Sequence, residues 1–392
     1  MSGRALQFAR SRLDVLREVD GWLVLVTAAL CLCGLVFIGS ATHDDPLFHA
    51  QQARQALFVA CGFGIGVFVV LPHYVHVLRG AWLFFGIVLL ALLGLPFFAP
   101  EINGARRWYA LPGFSVQPSE FAKLAVVLAL AALLRFKARA RTFDGLVVPM
   151  LVAAAPALMV LRQPDLGSSL VFGPVLLAMC YAAGASGRAI LLLLAIAVGV
   201  FALAYGELLQ PYQRDRIEVW LDHWRWAEAD LQTFEVKEKL RGDGFQPWQA
   251  LIALGGGGML GAGVGQGPQN RHDFLPYRSE DYVFAVVGEE VGWAGAMVVL
   301  ALLGVLVWLL LATAMRTRER FGRLVCVGVA AWIGTQTLIH VAVCGWLVPA
   351  TGLPMPFLSY GGSSALSALL GVALCVNIGA RREPILAGDG FT

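Results

Sequence analysis

The sequence predicts an all-α polytopic membrane protein with about ten transmembrane helices and one long extracytoplasmic loop that carries an amphipathic helix. Two observations lead to this fold class. Of the 392 residues, 58% are hydrophobic and only 14% are charged, against ~25% charged residues in an average soluble domain. Apolar stretches close to the ~20 residues that a helix needs to cross a bilayer also recur along the chain. The net charge of +3 is too small to indicate a nucleic-acid partner.

Ten apolar segments are the predicted spans. Their approximate bounds are 21–40, 54–72, 80–98, 116–134, 145–161, 168–184, 188–206, 282–311, 322–346 and 361–380. Pro149 and Pro156 lie inside the fifth span and predict a kink there. The chain therefore divides into an N-terminal segment (1–20), spans 1–7 (21–206), a long loop (207–281), spans 8–10 (282–380) and a tail (381–392).

The distribution of Lys and Arg predicts the orientation of these spans. With the N-terminus inside, sixteen of the 29 basic residues fall in short segments on the inner side. Eight others lie in the loop 207–281, where charge has little effect on orientation because the loop is long. We therefore expect a protein of the cytoplasmic (inner) membrane with both termini cytoplasmic and an extracytoplasmic active face.

The long loop contains one amphipathic pattern. Four apolar residues recur with helical spacing between charged neighbours: Ile217, Trp220, Leu221 and Trp224. This pattern predicts a helix that lies in the plane of the membrane interface. An ordinary helix packed on the spans is the alternative.

The same loop contains the glycine-rich segment GGGGMLGAGVGQG, residues 255–267. It includes G-x-G-x-x-G, but no strand precedes it and the GK[ST] of a phosphate-binding loop is missing, so it does not predict a nucleotide site. Its glycines allow a tight turn and the close approach of the backbone to a partner, either protein or substrate.

Charged side chains lie well inside two of the predicted spans, away from the span ends: Glu120, Lys123, Glu289 and Glu290. A charge at the bilayer centre costs roughly 2.5–3.5 kcal/mol, so these groups must be paired, protonated or next to water. Glu120 and Lys123 are i, i+3 neighbours, and Lys123 and Glu289 should lie at similar depth. Because one Lys cannot neutralise three carboxylates, we expect a second cation, Arg107 or Arg162, or a proton. The alternative is a salt-bridge network that only fixes helix packing.

Asp281 immediately precedes the eighth span. Together with Ser279 it stands where a helix N-cap is expected, and a carboxylate there is ordinary. Glu290 should lie roughly 180° round the helix from Asp281 and so face different neighbours. The second interpretation is that Asp281 is a functional carboxylate at the outer face.

Six motifs occur in order along the chain. They are NGARRW (103–108), QPSEFAK (117–123), QPDLGSSL (163–170), YQRDRI (212–217), FLPYRSEDYVFAVVGEEVG (274–292) and TGLPMPFLSYGGSS (351–364). Together they resemble the SEDS family (shape, elongation, division and sporulation), and within it the RodA-type elongation members. The resemblance implies a ten-span peptidoglycan glycosyltransferase that polymerises lipid II, a disaccharide-pentapeptide on undecaprenyl pyrophosphate. It also implies a class B penicillin-binding protein as partner.

The resemblance further implies site residues. The matching positions are Asp281 for the family's essential aspartate, Arg107 and Trp108 for its outer arginine and tryptophan, and Glu120 and Lys123 for its span 4 pair. Trp108 would stack on a sugar or anchor at the interface. The family usually has His-Thr before the aspartate, where this chain has Ser279-Glu280. Whether Glu280 shares the role of Asp281 or binds a cation stays open.

The implied reaction makes a sugar hydroxyl attack an anomeric carbon while a lipid pyrophosphate departs. A carboxylate that takes the hydroxyl proton fits Asp281 as general base. The departing pyrophosphate needs positive charge, and Arg107, Arg216 and Lys123 are the candidates. No cofactor is required with certainty, although a divalent cation between Asp281, Glu280 and phosphate would serve the same purpose.

Three other functions stay open at this level. A flippase for the lipid-linked precursor would also carry intramembrane charges. A non-catalytic scaffold for a penicillin-binding protein would use the charges for structure alone. A third alternative is another outward-facing glycosyl transferase that acts on a lipid-linked substrate, such as a polysaccharide ligase.

Overall fold

The computed structural model of the chain describes residues 18–42, 50–102, 104–136, 143–207, 209–226, 233–272 and 274–381. Most of the predicted N-terminal segment (1–20) and of the predicted tail (381–392) lies outside these residues, and so does the basic stretch 137–142 of the predicted inner loop.

Fourteen helices and one two-stranded sheet make up the described residues. In chain order they are α1 (Gly21–Thr42), α2 (Ala50–Val70), α3 (Val75–Phe98), β1 (Tyr109–Leu111), β2 (Phe114–Val116), α4 (Pro118–Leu134), α5 (Phe143–Arg162), α6 (Leu166–Ala182), α7 (Gly187–Glu207), α8 (Pro211–His223), α9 (Phe234–Arg241), α10 (Phe245–Gly256), α11 (Pro268–Arg271), α12 (Val283–Arg316), α13 (Arg320–Cys344) and α14 (Gly362–Gly379).

Each of the ten predicted spans corresponds to one helix of this bundle. Seven helices in the described part of the chain are long and apolar enough to cross a membrane. Of the remaining three, α4 and α6 have 17 residues each and α7 has 21. The predicted all-α polytopic membrane fold is confirmed.

Helix α4 is the centre of the bundle. It packs against α3, α5, α6, α13 and α14, and every residue from Pro118 to Leu134 except Phe121 is buried. A helix that is apolar on all sides has no lipid-facing stripe and must be enclosed by its neighbours. Glu120 and Lys123 are therefore held inside protein, away from hydrocarbon.

Helix α12 is broken at Gly292, where φ is 66° and ψ is −172°. Residues 283–290, before the break, are buried on all sides. After the break only one stripe is buried, and Trp293 and Trp308 are each 60% exposed. Glu289 and Glu290 thus belong to a short enclosed segment, and the apolar surface that faces lipid begins beyond them.

The glycine-rich segment 255–267 packs on this break. Two of its N–H groups donate to the carbonyls of Glu289 and Glu290 (3.0 and 2.9 Å). Two N–H groups just after the break donate in turn to carbonyls of the segment (2.8 and 3.1 Å). Hydrocarbon offers no partner to backbone groups released by a helix break, so protein must supply one. The partner that the glycines approach is therefore protein backbone.

The end of the bundle that carries Asp281 also holds most of the region between α7 and α12. Helix α10 packs on α12, and the imidazole of His223 at the end of α8 stacks on Trp346 with ring centroids 4.2 Å apart. On α8, Ile217 is buried whereas Leu221 and Trp224 are 44% and 60% exposed. The predicted helix exists, and it combines packing against the bundle with an exposed apolar edge.

A short hairpin before α4 was not predicted from the sequence. Strands β1 and β2 are antiparallel, with Tyr109 opposite Val116 and Leu111 opposite Phe114. The turn between them contains Gly113 in the left-handed region (φ 87°), which glycine adopts without steric cost. The hairpin sets the position of Arg107 and Trp108, which directly precede it.

At the opposite end of the bundle, two side chains cap the carbonyls that end α2. Asn377 donates to the carbonyls of Val69 and Pro72 (2.6 and 2.8 Å). The guanidinium of Arg381 donates to those of Val70 and Leu71 (3.2 and 2.9 Å). Carbonyls at a helix end have no partner within the helix, so these bonds fix α14 against α2.

The close approach of the glycine-rich segment to α12 makes a stability prediction. A Cβ at position 257 would lie 2.0 Å from the carbonyl oxygen of Gly288, so we expect Gly257→Ala to lower the free energy of unfolding by about 1–3 kcal/mol. Gly256→Ala is the matched control because its Cβ would meet no atom within 4 Å. Thermal unfolding of both variants in one detergent tests this, and equal melting temperatures would contradict the close packing.

Candidate active site

Asp281 lies directly before α12 and is half-buried. Its N–H donates to the carbonyl of Tyr277 (2.9 Å). The N-cap position of α12 is occupied by Tyr282, and no side chain caps the helix there. The hydroxyl of Ser279 donates instead to Gln51 Oε1 (2.9 Å). The N-cap interpretation of Asp281 and Ser279 is therefore wrong, and the Asp281 carboxylate has no capping role.

The carboxylate of Asp281 faces Gly352. A Cβ at position 352 would lie 3.5 Å from Asp281 Oδ2, and Gly352 has a left-handed backbone (φ 66°). Burial raises the pKa of Asp281 to about 6. Among the surrounding charges, Arg216 lowers this pKa, Asp165 raises it and Arg107 lowers it. Two predicted cations therefore act on the predicted base.

Glu280 is the second carboxyl group at this position. Burial, and to a smaller extent the neighbouring charge of Asp281, raise its pKa to about 7. The negative charge of Asp281 disfavours ionisation of the carboxyl group beside it. Glu280 differs from Asp281, because the charges that act on the pKa of Glu280 include no cation to lower it.

Arg107 fastens the connection between α5 and α6. Its Nε donates to the carbonyl of Gln163 (2.8 Å), and one Nη donates to the carbonyl of Pro164 and to the Tyr212 hydroxyl (3.3 Å). Tyr212, on α8, also donates to the carbonyl of Pro164 (2.9 Å). The guanidinium thus joins the hairpin region, the α5–α6 connection and α8 at one point.

Asp165 extends this group toward α4. It is 4% exposed, and its carboxylate accepts the N–H of Ser168 (3.0 Å) and the amide of Gln117 (3.3 Å). Gln117 in turn accepts the indole N–H of Trp108 (3.2 Å). Asp165 and Gln117 were absent from the predicted site although both stand in the motifs. One sequence feature could have identified them: in each of these two neighbouring motifs a polar side chain, Gln117 or Asp165, stands next to a proline.

Arg216 approaches from α8. One Nη donates weakly to the carbonyl of Ala350 (3.5 Å), and its guanidinium lies 5.5 Å from the ring centroid of Tyr212. Ala350 is two residues before Gly352, which explains how a residue of the long loop influences Asp281. This single long bond leaves most guanidinium donors of Arg216 available to another partner.

Lys123 and Glu120 form a buried ion pair (Nζ to Oε1, 2.6 Å) with side chains 0% and 1% exposed. The ammonium also donates to Gln336 Oε1 (3.0 Å) and lies 5.5 Å from the ring centroid of Trp332. Both are on α13. The pair therefore lies between two helices, and its contact with substrate, implied by the family resemblance, stays a prediction.

Side chains from the same region of α13 also form hydrogen bonds to the loop that contains Gly352 and faces Asp281. Gln336 donates to the carbonyl of Pro354 (2.7 Å). His340 bonds the carbonyl of Leu353 through Nδ1 (2.8 Å), and its Nε2 faces the N–H of Phe284 (3.5 Å). Since Nε2 is the acceptor, Nδ1 carries the proton and donates to Leu353. Hydrogen bonds from α13 side chains to the carbonyls of this loop thus link the ion pair to the loop that contains Gly352 and faces Asp281.

The two carboxylates inside α12 have other partners. Glu289 accepts the backbone N–H groups of Gln269 and Asn270 (2.6 and 3.1 Å). Glu290 accepts the hydroxyl of Ser40 and the amide of Asn270 (2.7 Å). The expectation of a second cation from Arg107 or Arg162 is therefore wrong, because the donors to these groups are neutral. The other expectation, a bound proton, stays a prediction. Glu290 does face neighbours different from those of Asp281, as predicted.

The residues around Asp281 do not form a typical metal site. Among the described residues no group of three or more His, Cys, Asp and Glu side chains could hold a metal ion. The two oxygens of Asp165 are already used by Ser168 and Gln117. A divalent cation near Asp281 and Glu280 would depend on oxygens of the substrate.

Comparison with known proteins gives a consistent result. The family model for the cell cycle proteins FtsW, RodA and SpoVE matches residues 21–383. The chain is 36% identical over 382 residues to the probable peptidoglycan glycosyltransferase FtsW of Thiomicrospira cyclica, covering 94% of this chain and 93% of that one.

Two solved structures have a fold similar to that of this chain. A structure described as the structural coordination of polymerization and crosslinking by a peptidoglycan synthase complex matches with a TM-score of 0.75 and 31% identity, over 92% of this chain and 97% of that one. The rod shape determining protein RodA of Thermus thermophilus matches with a TM-score of 0.67 and 28% identity, over 92% and 96%.

The buried ion pair makes a testable prediction. Lys123→Met should lower the free energy of unfolding by about 3–5 kcal/mol, because it leaves the Glu120 charge buried without its partner. The double variant Glu120→Gln with Lys123→Met removes both charges and should recover most of this loss. Thermal unfolding measures the cycle; a double variant no more stable than Lys123→Met would contradict a buried charge as the cause.

Proposed function

The chain belongs to the SEDS family of cell cycle proteins, and on that premise we propose that it is a peptidoglycan glycosyltransferase that polymerises lipid II. One observation carries the proposal: the Asp281 carboxylate, free of any capping role, lies beside Gly352 in the field of Arg216 and Arg107. An acid with cations around it at one end of a membrane bundle fits a reaction that moves a proton and releases an anion.

Asp281 acts in this proposal as the general base. The acceptor sugar hydroxyl forms a new bond to the anomeric carbon of the donor, and its proton passes to the Asp281 carboxylate. The bond from that carbon to the pyrophosphate oxygen breaks, and the lipid pyrophosphate leaves. A positioned base contributes typically 10²–10⁴-fold to such a step, and it works best with a pKa near the operating pH. A pKa of about 6 meets that condition.

The two arginines have different roles toward the leaving group. Arg107 makes three donor contacts within the protein. It therefore holds the site together and acts on the leaving group only through its positive electrostatic potential. Arg216 has one long backbone bond and is the cation that contacts the departing pyrophosphate, because guanidinium groups bind phosphate through paired N–H donors. The Trp108 indole N–H is engaged by Gln117, and the Arg107 guanidinium lies over the ring, 5.9 Å from its centroid; the opposite ring face is the one proposed to contact a sugar.

In this proposal Glu120 and Lys123 are positioning residues that do not contact the substrate. Their link through Gln336 to the Pro354 carbonyl holds the loop that carries Gly352, and Gly352 faces Asp281. If this is their role, the neutral double variant described above regains activity along with stability. A double variant that folds but does not polymerise would assign the pair a direct part in the reaction.

The outward orientation and the partner are parts of the same proposal. With both termini cytoplasmic, Asp281 and its cations lie on the extracytoplasmic side, where lipid II is used. A class B penicillin-binding protein is the expected partner, supported by the similarity to the peptidoglycan synthase complex.

The role in elongation is supported by the likeness to RodA. The relative from Thiomicrospira carries the FtsW name, so depletion in the native cell must decide: loss of an elongation enzyme gives round cells, and loss of a division enzyme gives filaments.

A charge-neutral change at the base tests the mechanism. Asp281→Asn should keep the protein folded and reduce polymerisation of lipid II by at least about 10²-fold. The assay uses detergent-purified protein, with and without chelator, and measures glycan length. Polymer formed by the parent without any membrane barrier excludes a flippase. Normal polymer from Asp281→Asn would contradict the base assignment.

Glu280→Gln is the matched control, since it removes the neighbouring carboxylate in an equally conservative way. We expect this variant to retain most of the activity. Equal loss in both variants would mean that the pair of acids acts together. A parent protein that is inactive alone but stimulates a penicillin-binding protein would indicate the scaffold function.

The raised pKa values predict opposite pH effects on rate and stability. The base must be ionised, so the rate should rise through about pH 6 and level off above it. The folded protein holds protons on Asp281 and Glu280 at pH values where the unfolded chain has lost them. Stability therefore falls as pH rises from about 4 to 7, and Asp281→Asn should raise the melting temperature at pH 8. Initial rates and melting curves from pH 5 to 8 test both effects. A flat rate would contradict the first, and a melting temperature that does not fall with pH would contradict the second.

A further inference from the structure

The imidazole of His340 joins the two chain segments that meet at Asp281. His340 lies fully buried on α13, and its two ring nitrogens have different partners. Nδ1 donates to the carbonyl of Leu353 (2.8 Å), the residue after Gly352. Nε2 accepts the N–H of Phe284 (3.5 Å), which lies three residues after Asp281. One neutral side chain thus bonds both the loop and the helix that meet at the carboxylate.

Helix α12 needs an acceptor for its first turn that does not come from its own N-cap residue. That residue, Tyr282, forms no side-chain capping bond. The N–H groups of Ala285 and Val286 donate to the carbonyl of Tyr282 (2.9 and 3.4 Å). The N–H of Phe284 points instead to His340 Nε2. The first N–H groups of a helix have no acceptor within it, and a buried N–H without a partner is unfavourable. The imidazole of the neighbouring helix therefore takes the place of a cap.

The loop that carries Gly352 is held by contacts on either side of that residue in the chain. Gly167 of α6 lies so close that a Cβ there would be 2.8 Å from the carbonyl oxygen of Thr351. The bond from His340 fixes the carbonyl of Leu353. Gly352, between these two contacts, has no side chain of its own to pack. Its distance from the reacting carboxylate is therefore set by its neighbours.

The position of this loop determines how well Asp281 is shielded from water. Burial is the largest cause of the raised pKa of Asp281, about 6, and Gly352 lies against its Oδ2. The charged and titratable groups that act on Asp281 or feel its charge are Arg216 on α8, Arg107 before β1, Asp165 before α6, Cys344 at the end of α13, and the adjacent Glu280 and Tyr282. In the described part of the chain the hydrogen bonds of His340 go to none of these groups. His340 therefore acts on Asp281 through position.

We propose that His340 is a positioning residue for the reaction of Asp281. By bonding the loop and the start of α12 at the same time, it keeps Gly352 against the carboxylate and keeps bulk water away from the base. The inference rests on the proposed role of Asp281 as general base. The two bonds of the imidazole can nevertheless be tested without any activity.

Two amide substitutions separate the two bonds of the ring. In His340→Asn the amide stands where Nδ1 stands and keeps the bond to Leu353. In His340→Gln it stands where Nε2 stands and keeps the bond to Phe284. We expect the polymerisation rate of His340→Asn to rise through about pH 6, like that of the parent. In His340→Gln the released loop admits water, so the midpoint should fall by about one pH unit, toward the ordinary aspartate value of about 4.

Initial rates from pH 4.5 to 8, each divided by the plateau rate of the same variant, measure these midpoints. Thr337→Val is the matched control: the Thr337 hydroxyl lies about one turn before His340 and donates to the carbonyl of Ile333 in its own helix (2.8 Å). This control should titrate like the parent. An unchanged midpoint in His340→Gln would overturn the proposal, and so would an equal fall in His340→Asn or in Thr337→Val.

Hydrogen–deuterium exchange tests the bonds in purified protein whether or not it polymerises. His340→Gln should speed exchange in residues 350–353 about tenfold and leave residues 283–286 unchanged, and His340→Asn should do the reverse, because each variant loses one hydrogen bond. The same exchange pattern in both variants would overturn the proposal. Inactivity of the parent would overturn the proposed function; the exchange pattern would then still decide the role of His340.

Discussion

The structure depends on one constraint: in hydrocarbon, each backbone group and each charge must find its partner within the protein. Helix α12 meets this constraint at its most demanding point. Its break at Gly292 releases backbone groups that the segment 255–267 takes up. Glu289 accepts two backbone N–H groups, and one oxygen of Glu290 accepts the Ser40 hydroxyl and the Asn270 amide. Because these needs are met locally, a polar site can exist beside a lipid-facing helix.

The candidate site combines segments that are far apart in sequence, and the bundle fixes each of them. Arg107 ties the α5–α6 connection to α8, and α8 brings Arg216 to Ala350. From the other side, α13 holds the loop around Gly352 through Gln336 and His340. Asp281 lies where these two groups meet. The reacting carboxylate therefore depends on intramembrane packing although it precedes the membrane helix itself.

Hydropathy was sufficient to predict ten spans, because a run of apolar residues is visible whatever its partners are. The i, i+3 spacing also predicted the pairing of Glu120 with Lys123. The break in α12 was not predictable, since single glycines are common in membrane helices. The partners of Glu289 were missed because backbone N–H groups leave no mark in a side-chain pattern. Gln336 lies 213 residues from Lys123, a distance at which spacing carries no information.

The change of direction at Gly292 has a mechanical consequence. Beyond it, α12 packs one buried stripe against its neighbours α1 and α13 and turns its other side to lipid, and this packing sets its tilt. Before it, the helix is clamped by backbone bonds to the glycine-rich segment. The two parts of the helix are thus anchored by different partners, and the Asp281 end takes its position from the glycine-rich segment and not from the lipid-facing part.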